Sequence, residues 1–395
     1  MKKIIALVLV LVMFAGCGGN AEPADSSKVP SPSKAPASST QSTVSQIYPA
    51  TNNYEQITYN VTDIADRLTL GNRCPIVESA KGIVFDQAGA NFSFKADCEG
   101  DVVVNVKCST GWDNRFRYYT VYVDGVRQER IESEVNIASG QPTAVVIAKD
   151  LPRGIHEFKF CRSNPAEKGA ETVMSVTLKG VPCEDKPAEK ELLIEFLGDS
   201  LTAGLGNLDL ANGSFDSRYS DSTQTYAFFT AEAFDADFSS VCCGGLPFTA
   251  DFGGMSITDR YGRISFKRDL GEHDFARSAD IVVVNLGTND HSRAASELSA
   301  EEYIGLAKNL ATFIKQKNPK AKIVWAYGMA TSPSQDMLKK AMNELGGEEA
   351  GYYFCLLPGN IAGEKGHPVV ESHKNAANVL IQFLKEKLGL KEVSR

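Results

Sequence analysis

The chain has 395 residues, 43% of them hydrophobic and 23% charged, and a formal net charge of −8. Single hydrophobic cores stop growing near roughly 250–300 residues, so more than one folded unit is expected. The acidic balance argues against nucleic acid as a partner.

Lys2 and Lys3 precede an apolar run from Ile4 to Ala15. The run is too short to span a bilayer comfortably and reads as an export signal over residues 1–17. It closes on Phe14-Ala15-Gly16-Cys17, small residues and a cysteine that resemble the lipobox of bacterial lipoproteins. Lipidation at Cys17 after cleavage would anchor the mature chain to a membrane. The other reading is an ordinary secretory signal in which Cys17 is incidental. Residues 18–47 are rich in Ser, Pro, Ala, Thr and Lys and almost devoid of large apolar side chains. They cannot bury a core and are expected to form a disordered tether, with a reach of about 30 Å. The expected location is the bacterial cell surface or periplasm, on a lipid anchor.

Residues 48–185 read as short alternating strands: Gly82 to Phe85, Ala90 to Lys95, Asp101 to Lys107, Arg117 to Val123, Ala144 to Ile147, His156 to Cys161 and Thr172 to Leu178. Regular spacing of this kind predicts an antiparallel, jelly-roll-like β-sandwich. Eight cysteines follow Cys17, five of them in this region. Their spacing specifies no disulfide pairs. Asp185 to Lys190 is the expected joint.

From residue 190 to about 390 the pattern changes to buried strands alternating with helices, which predicts an α/β three-layer domain with a mainly parallel sheet. Leu192 to Leu197 is nearly all apolar and runs into Gly198-Asp199-Ser200. That order places a serine hydroxyl in the turn after a buried strand, next to the N–H groups that open a helix. A second apolar run, Ala279 to Leu286, ends in Gly287-Thr288-Asn289-Asp290, where the Asn289 amide would be placed to donate to an oxyanion. Cys242-Cys243-Gly244-Gly245 is a small-residue turn able to bring a further N–H to the same oxygen. Ser299 and Glu302 form a capping box for a helix that Pro319 ends. Gly366-His367-Pro368 precedes a helical pattern from Val370 to Leu388, and a histidine held there suits a general base for the serine. His156, His273 and His291 lack metal-ligand spacing, and the Cys242-Cys243 pair reads as small buried filler, so no metal is expected.

Gly198-Asp199-Ser200, Gly244, Gly287-Thr288-Asn289-Asp290 and His367-Pro368 resemble the four blocks of the SGNH, or GDSL-type, hydrolases. The resemblance implies Ser200 as nucleophile, His367 as base, and the Ser200 and Gly244 N–H groups with the Asn289 side chain as oxyanion hole. His367 with His373, and the tract Val324 to Met329, resemble more narrowly the second family of carbohydrate esterases. That family joins an N-terminal β-sandwich to the hydrolase domain, and Tyr119 to Gly125 and Leu151 to Glu157 are similar to its strands.

One position departs from that pattern. Where the family commonly carries an aspartate two residues before the histidine, this chain has Lys365, with Glu364 one place earlier. Two readings stay open: Glu364 orients the imidazole, or a backbone carbonyl does and Glu364 is a solvated loop charge. Trp325 and Tyr327 are candidates for stacking on a sugar ring, and Trp325 reads equally well as core.

The resemblance implies an extracellular serine esterase that removes O-acetyl groups from carbohydrate, such as xylan, mannan or derived oligosaccharides, without a cofactor. The alternatives are an esterase of other acetylated glycans or of lipid esters, or a non-catalytic carbohydrate-binding lipoprotein.

Overall fold

A computed structural model describes residues 55–71, 73–111, 115–135, 137–209, 216–266, 268–290, 298–330, 333–359 and 367–393. The Cys17 and tether expectations lie outside the described residues, as do Glu364, Lys365 and His291. Among the described residues no helix is long and apolar enough to cross a membrane.

The first part of the described chain is an antiparallel sheet of ten strands: β1 (Gln56–Asn60), β2 (Leu68–Leu70), β3 (Ile76–Val77), β4 (Gly82–Phe85), β5 (Asn91–Cys108), β6 (Phe116–Val123), β7 (Val126–Arg127), β8 (Ile131–Glu134), β9 (Thr143–Arg162) and β10 (Glu171–Pro182). Its central path runs β3-β4-β10-β5-β9-β6-β7, with β1 on β10, β2 on β5 and β8 on β6. The sequence suggests four short strands where the structure has the two long ones, β5 and β9. The residues between the suggested strands do not end them: the ladder passes Gly100 by shifting register between Cys98 and Gly100 and again between Gly100 and Val102. Bulges of this kind bend a sheet without ending it. Alternate residues Phe92, Phe94, Ala96, Cys98, Val102, Val104 and Val106 of β5 point into the core, where Phe94 stacks on Phe158 at 4.9 Å and Tyr119 on Phe160 at 4.6 Å. Each such ring contributes about 1.5–3 kcal/mol by its burial.

The second part is a five-stranded parallel sheet, ordered β12-β11-β13-β14-β15, built from β11 (Leu193–Gly198), β12 (Asp237–Cys242), β13 (Ile281–Asn285), β14 (Lys322–Gly328) and β15 (Tyr352–Leu357). Helices α1 (Ser200–Ala203), α2 (Tyr226–Ala233), α3 (Ile257–Gly262), α4 (Ala300–Lys317), α5 (Gln335–Glu344), α6 (Gly347–Ala350) and α7 (Val370–Leu388) follow in chain order. On one face Leu193, Leu197, Val282 and Val284 pack with Ile304, Ala307, Leu310 and Ile314 of α4. On the other, Ile194, Phe196, Ile281 and Val283 pack with α2 and with Ala376, Leu380 and Leu384 of α7. Covering both faces makes these strands continuously apolar, as the sequence reads. The capping box of α4 is present, with Glu302 N–H donating to Ser299 Oγ at 3.2 Å and Ser299 N–H to Glu302 Oε2 at 2.8 Å.

One charged residue interrupts this pattern. Glu195 lies fully inside β11 and accepts from Arg73 Nε at 2.8 Å and from Ser239 Oγ at 2.8 Å. Burial alone would raise its pKa, but Arg73 and these hydrogen bonds outweigh it and hold the carboxyl at about 2. Arg73, from the turn between β2 and β3, also lies over the rings of Tyr261 and Phe275. This ion pair joins the β-sheet part of the chain to the hydrolase part, as do Ser240 Oγ donating to Ala88 O and Thr120 Oγ1 bonded to Thr223 Oγ1.

Candidate active site

Ser200 is the first residue of α1 and stands directly after β11. The turn that carries it tolerates only glycine at 198, since a Cβ there would come within 2.0 Å of Thr202 Oγ1. Asp199 caps the helix by accepting the Leu201 N–H at 2.9 Å, which leaves the Ser200 N–H among the leading amides that a helix does not satisfy itself. His367 arrives from the loop before α7, and its Nε2 lies 2.7 Å from Ser200 Oγ. In the tautomer with its proton on Nδ1, Nε2 accepts the serine hydroxyl proton. Burial lowers the His367 pKa below its usual value, so the ring is neutral near pH 7 and available as a base. The start of α7 is tied to the loop after α1 by the Val370 N–H, which donates to Asn207 O at 3.1 Å.

His373, one turn into α7, is buried, accepts the Tyr226 N–H on Nδ1 at 3.2 Å and stacks on the Tyr226 ring. Burial, with His367 adding to it, takes its pKa down to about 3. It is a neutral packing residue behind the site.

Asn289 comes in from the loop after β13, and its Nδ2 donates to Asp199 Oδ2 at 2.8 Å and to Leu246 O at 3.3 Å. Asp199 is fully buried. Burial first, then the nearby Asp290, raise its pKa to about 7 against the opposing hydrogen bonds. Asp290 in turn fixes the neighbouring turn, its Oδ1 accepting from the Phe248 and Thr249 N–H groups at 3.0 and 2.8 Å. Sequence reasoning quoted both aspartates as motif letters and missed what they do; their position beside Ser200 and Asn289 was the available signal.

Gly244 and Tyr327 sit differently from the sequence reading, and Trp325 takes the core alternative. The Gly244 N–H does not open towards a substrate oxygen but donates to Glu167 Oε1 at 3.3 Å. That contact occupies the Gly244 N–H, so a place for it in the oxyanion hole would require Glu167 to yield it. Trp325 and Tyr327 are both 0% exposed. Trp325 donates from Nε1 to Leu286 O at 3.1 Å and meets Phe248 edge-on, and Tyr327 belongs to the same core. Neither offers a face to a sugar. Cys242 and Cys243 are buried, and burial pushes the Cys242 thiol up to about 12, far from a reactive thiolate.

Comparison with known proteins places this arrangement. Residues 196–365 match the model of the GDSL-like Lipase/Acylhydrolase family. This stretch is a GDSL-type hydrolase domain. Among curated proteins, the chain is 26% identical over 262 residues to "Cellulase/esterase CelE" of Acetivibrio thermocellus, covering 62% of this chain and 32% of that protein. It is also 26% identical over 218 residues to an "Acetylxylan esterase / glucomannan deacetylase" of Cellvibrio japonicus, covering 50% of this chain and 60% of that one. The match thus spans about a third and three fifths of these two relatives. A family two carbohydrate esterase from Clostridium thermocellum, solved in complex with cellohexaose, superposes with a TM-score of 0.70 at 23% identity, over 82% of this chain and 99% of that chain. The neighbour's fold, a β-sandwich followed by the hydrolase domain, is the fold of this chain.

Proposed function

We propose that this protein is a serine esterase that removes O-acetyl groups from carbohydrate. The observation that carries the reading is the 2.7 Å contact between Ser200 Oγ and His367 Nε2 at the C-terminal end of β11, the end of an open α/β sheet at which ligands bind. His367 takes the hydroxyl proton as Ser200 Oγ attacks the acetyl carbonyl carbon. The tetrahedral oxyanion is received by the Ser200 N–H and by the Asn289 side-chain amide, which turns to it the Nδ2 hydrogen otherwise held by Leu246 O in the longer of its two bonds, at 3.3 Å. Collapse breaks the C–O bond to the sugar, and the imidazolium returns its proton to the departing hydroxyl. Water, deprotonated by His367, then attacks the acetyl-enzyme and releases acetate, restoring Ser200.

Acetylated xylan, mannan or oligosaccharides derived from them are the proposed substrates, supported by the names of the curated Cellvibrio japonicus relatives. The lysine pair, apolar run and Cys17 support an exported, lipid-anchored chain on a tether of residues 18–47. Cys17→Ser tests the anchor: it is expected to release the protein from the membrane fraction or leave it unprocessed, with turnover intact. A mature wild-type chain that carries no lipid would refute it.

The decisive experiment for function is hydrolysis of a short-chain aryl acetate and of acetylated xylan and glucomannan by wild type and Ser200→Ala. Acetate release by wild type and its near-complete loss in Ser200→Ala, at unchanged melting temperature, is the expected result. Substantial turnover by the alanine variant would remove Ser200 from the chemistry, and carbohydrate binding without any turnover would favour a binding protein.

A further inference from the structure

The connection between β9 and β10 is built as a rigid arm that reaches from the first sheet to the hydrolase domain. Arg162, fully buried, donates from Nη2 to Pro165 O at 2.8 Å and to Gly169 O, and from Nη1 to Phe85 O and Asp86 O at 3.1 and 3.0 Å. On the hydrolase side the Ser222 N–H and Oγ donate to Ser163 O at 2.8 and 3.0 Å. A single buried helical turn, Ala166–Lys168, forms the tip of the arm.

That tip carries Glu167, which is 1% exposed. Its Oε1 accepts the Gly244 N–H at 3.3 Å, and its buried Oε2 has no hydrogen-bond partner among the described residues. A buried carboxyl oxygen without a hydrogen-bond partner costs free energy, and the few such groups in a folded protein call for an explanation. The approach is close: a Cβ on Gly244 would come within 2.7 Å of Glu167 Oε1 and 3.2 Å of Leu205 Cδ2.

Gly244 lies in the turn after β12, whose last residue Cys242 pairs in register with Gly198. The turn therefore begins level with the serine. It is closed by the Leu246 N–H donating to Cys243 O at 3.3 Å, and Leu246 O accepts from Asn289 Nδ2. The turn is held by Glu167 at one end and touches the proposed oxyanion donor at the other.

We infer that Glu167, supplied by the β-sandwich, is a positioning residue of the catalytic centre, acting on Asn289 through the turn Cys243 to Leu246. The inference rests on the esterase reading above. Glu167 touches no reacting atom; it fixes the peptide against which the Asn289 amide is set, and small displacements of such groups lower turnover strongly. Because the first sheet delivers it, removing that sheet's arm would impair chemistry and not only solubility or sugar affinity.

The test compares full-length wild type, Glu167→Ala, Glu167→Gln and Gly244→Ala on an aryl acetate and on acetylated xylan, with melting temperatures and the NMR signal of the Asn289 side-chain amide. Glu167→Ala is expected to lower kcat about tenfold or more on both substrates with KM nearly unchanged, and to move the Asn289 signal. Glu167→Gln, whose Oε1 still accepts the Gly244 N–H, is expected to keep most of the activity. Gly244→Ala, which displaces the carboxylate from the other side, should repeat the alanine effect if Glu167→Ala proves too unstable to assay. An unchanged kcat, or a higher one, overturns the proposal, the latter marking Glu167 as a block on a third oxyanion donor. Equal losses in Gln and Ala, or a change in KM confined to xylan, overturn it as well. Should wild type show no turnover at all, the esterase reading fails, while the Asn289 signal still decides whether Glu167 governs that amide.

Discussion

Asn289 Nδ2 lies 2.8 Å from Asp199 Oδ2, so the residue before the nucleophile holds the amide that is to receive the oxyanion. The same carboxylate accepts the Leu201 N–H on its other oxygen. Asp199→Asn keeps the shape but can present only one acceptor, and sets a donor against one of the two amides. The expected outcome is a fall in kcat of about tenfold to a hundredfold with little change in KM, below the loss for deleting an oxyanion donor outright. Steady-state kinetics on an aryl acetate check it; a kcat within twofold of wild type would show that Asn289 needs no such anchor.

The pH dependence follows from two groups that must both lose a proton. His367 acts as a base only when neutral, and burial lowers its pKa, so its limb of the kcat/KM profile belongs below about 6.5. Asp199 accepts both amides only when ionised, and its pKa is raised to about 7. Activity is therefore expected to rise with pH in two stages, one below about 6.5 and a shoulder near 7. Asp199→Asn should remove the shoulder and leave the lower limb in place. A single limb at or above the unperturbed histidine value, unchanged by Asp199→Asn, contradicts both assignments.

Arg73, in the turn between β2 and β3, and Glu195 of β11 form a buried pair at 2.8 Å. Removing one partner leaves an uncompensated charge inside β11, a loss of about 3–5 kcal/mol. Arg73→Met is expected to lower stability by that amount in urea unfolding, whereas Arg73→Met with Glu195→Met should recover much of it. Because the Glu195 pKa is depressed to about 2, the pair's contribution is complete above the unfolded carboxyl pKa of about 4.3 and fades as pH falls towards 2. Stability of wild type should therefore drop over that acid window more steeply than that of the double variant. A single variant as stable as wild type would show that the pair carries no net weight.

Much of this was legible because it is local. The apolar run into Gly198-Asp199-Ser200 and the helical pattern from Val370 to Leu388 obey periodicities read over a few residues, and the structure has β11 and α7 there. What was not legible is long-range. Nothing near Glu195 announces a partner 122 residues earlier, and a glutamate inside an apolar run reads only as an exception. Glu167, in a loop of the first sheet, bears no local mark of its contact with Gly244, 77 residues on. Trp325 and Tyr327 alternate along β14 as a half-exposed strand would, but this strand is covered on both faces and both rings are core. β5 and β9 each run on as one strand where the sequence pattern suggests two, because register shifts carry the ladder through the intervening residues.

The orientation of His367 is the last point open to test. Glu364 stands three residues before it and Lys365 two before. A carboxylate bonded to the Nδ1–H keeps the proton on that nitrogen, leaves Nε2 to accept from Ser200 Oγ, and stabilises the imidazolium formed in the attack. Glu364→Gln keeps size and hydrogen-bonding capacity but removes the charge. If Glu364 performs this role, kcat should fall about a hundredfold or more, given losses near 10⁴-fold for the equivalent change in a serine protease triad. If a backbone carbonyl orients the ring, its dipole survives and the loss should be only a few-fold. Lys365→Asp is the complementary variant, since it introduces a carboxylate at the position where related esterases commonly carry one. A large loss in Glu364→Gln with no gain in Lys365→Asp would establish a Ser200, His367, Glu364 triad. Near-wild-type turnover in Glu364→Gln would reduce the machinery to a serine–histidine dyad, and a gain in Lys365→Asp would show that the native base is held less firmly than an added aspartate could hold it.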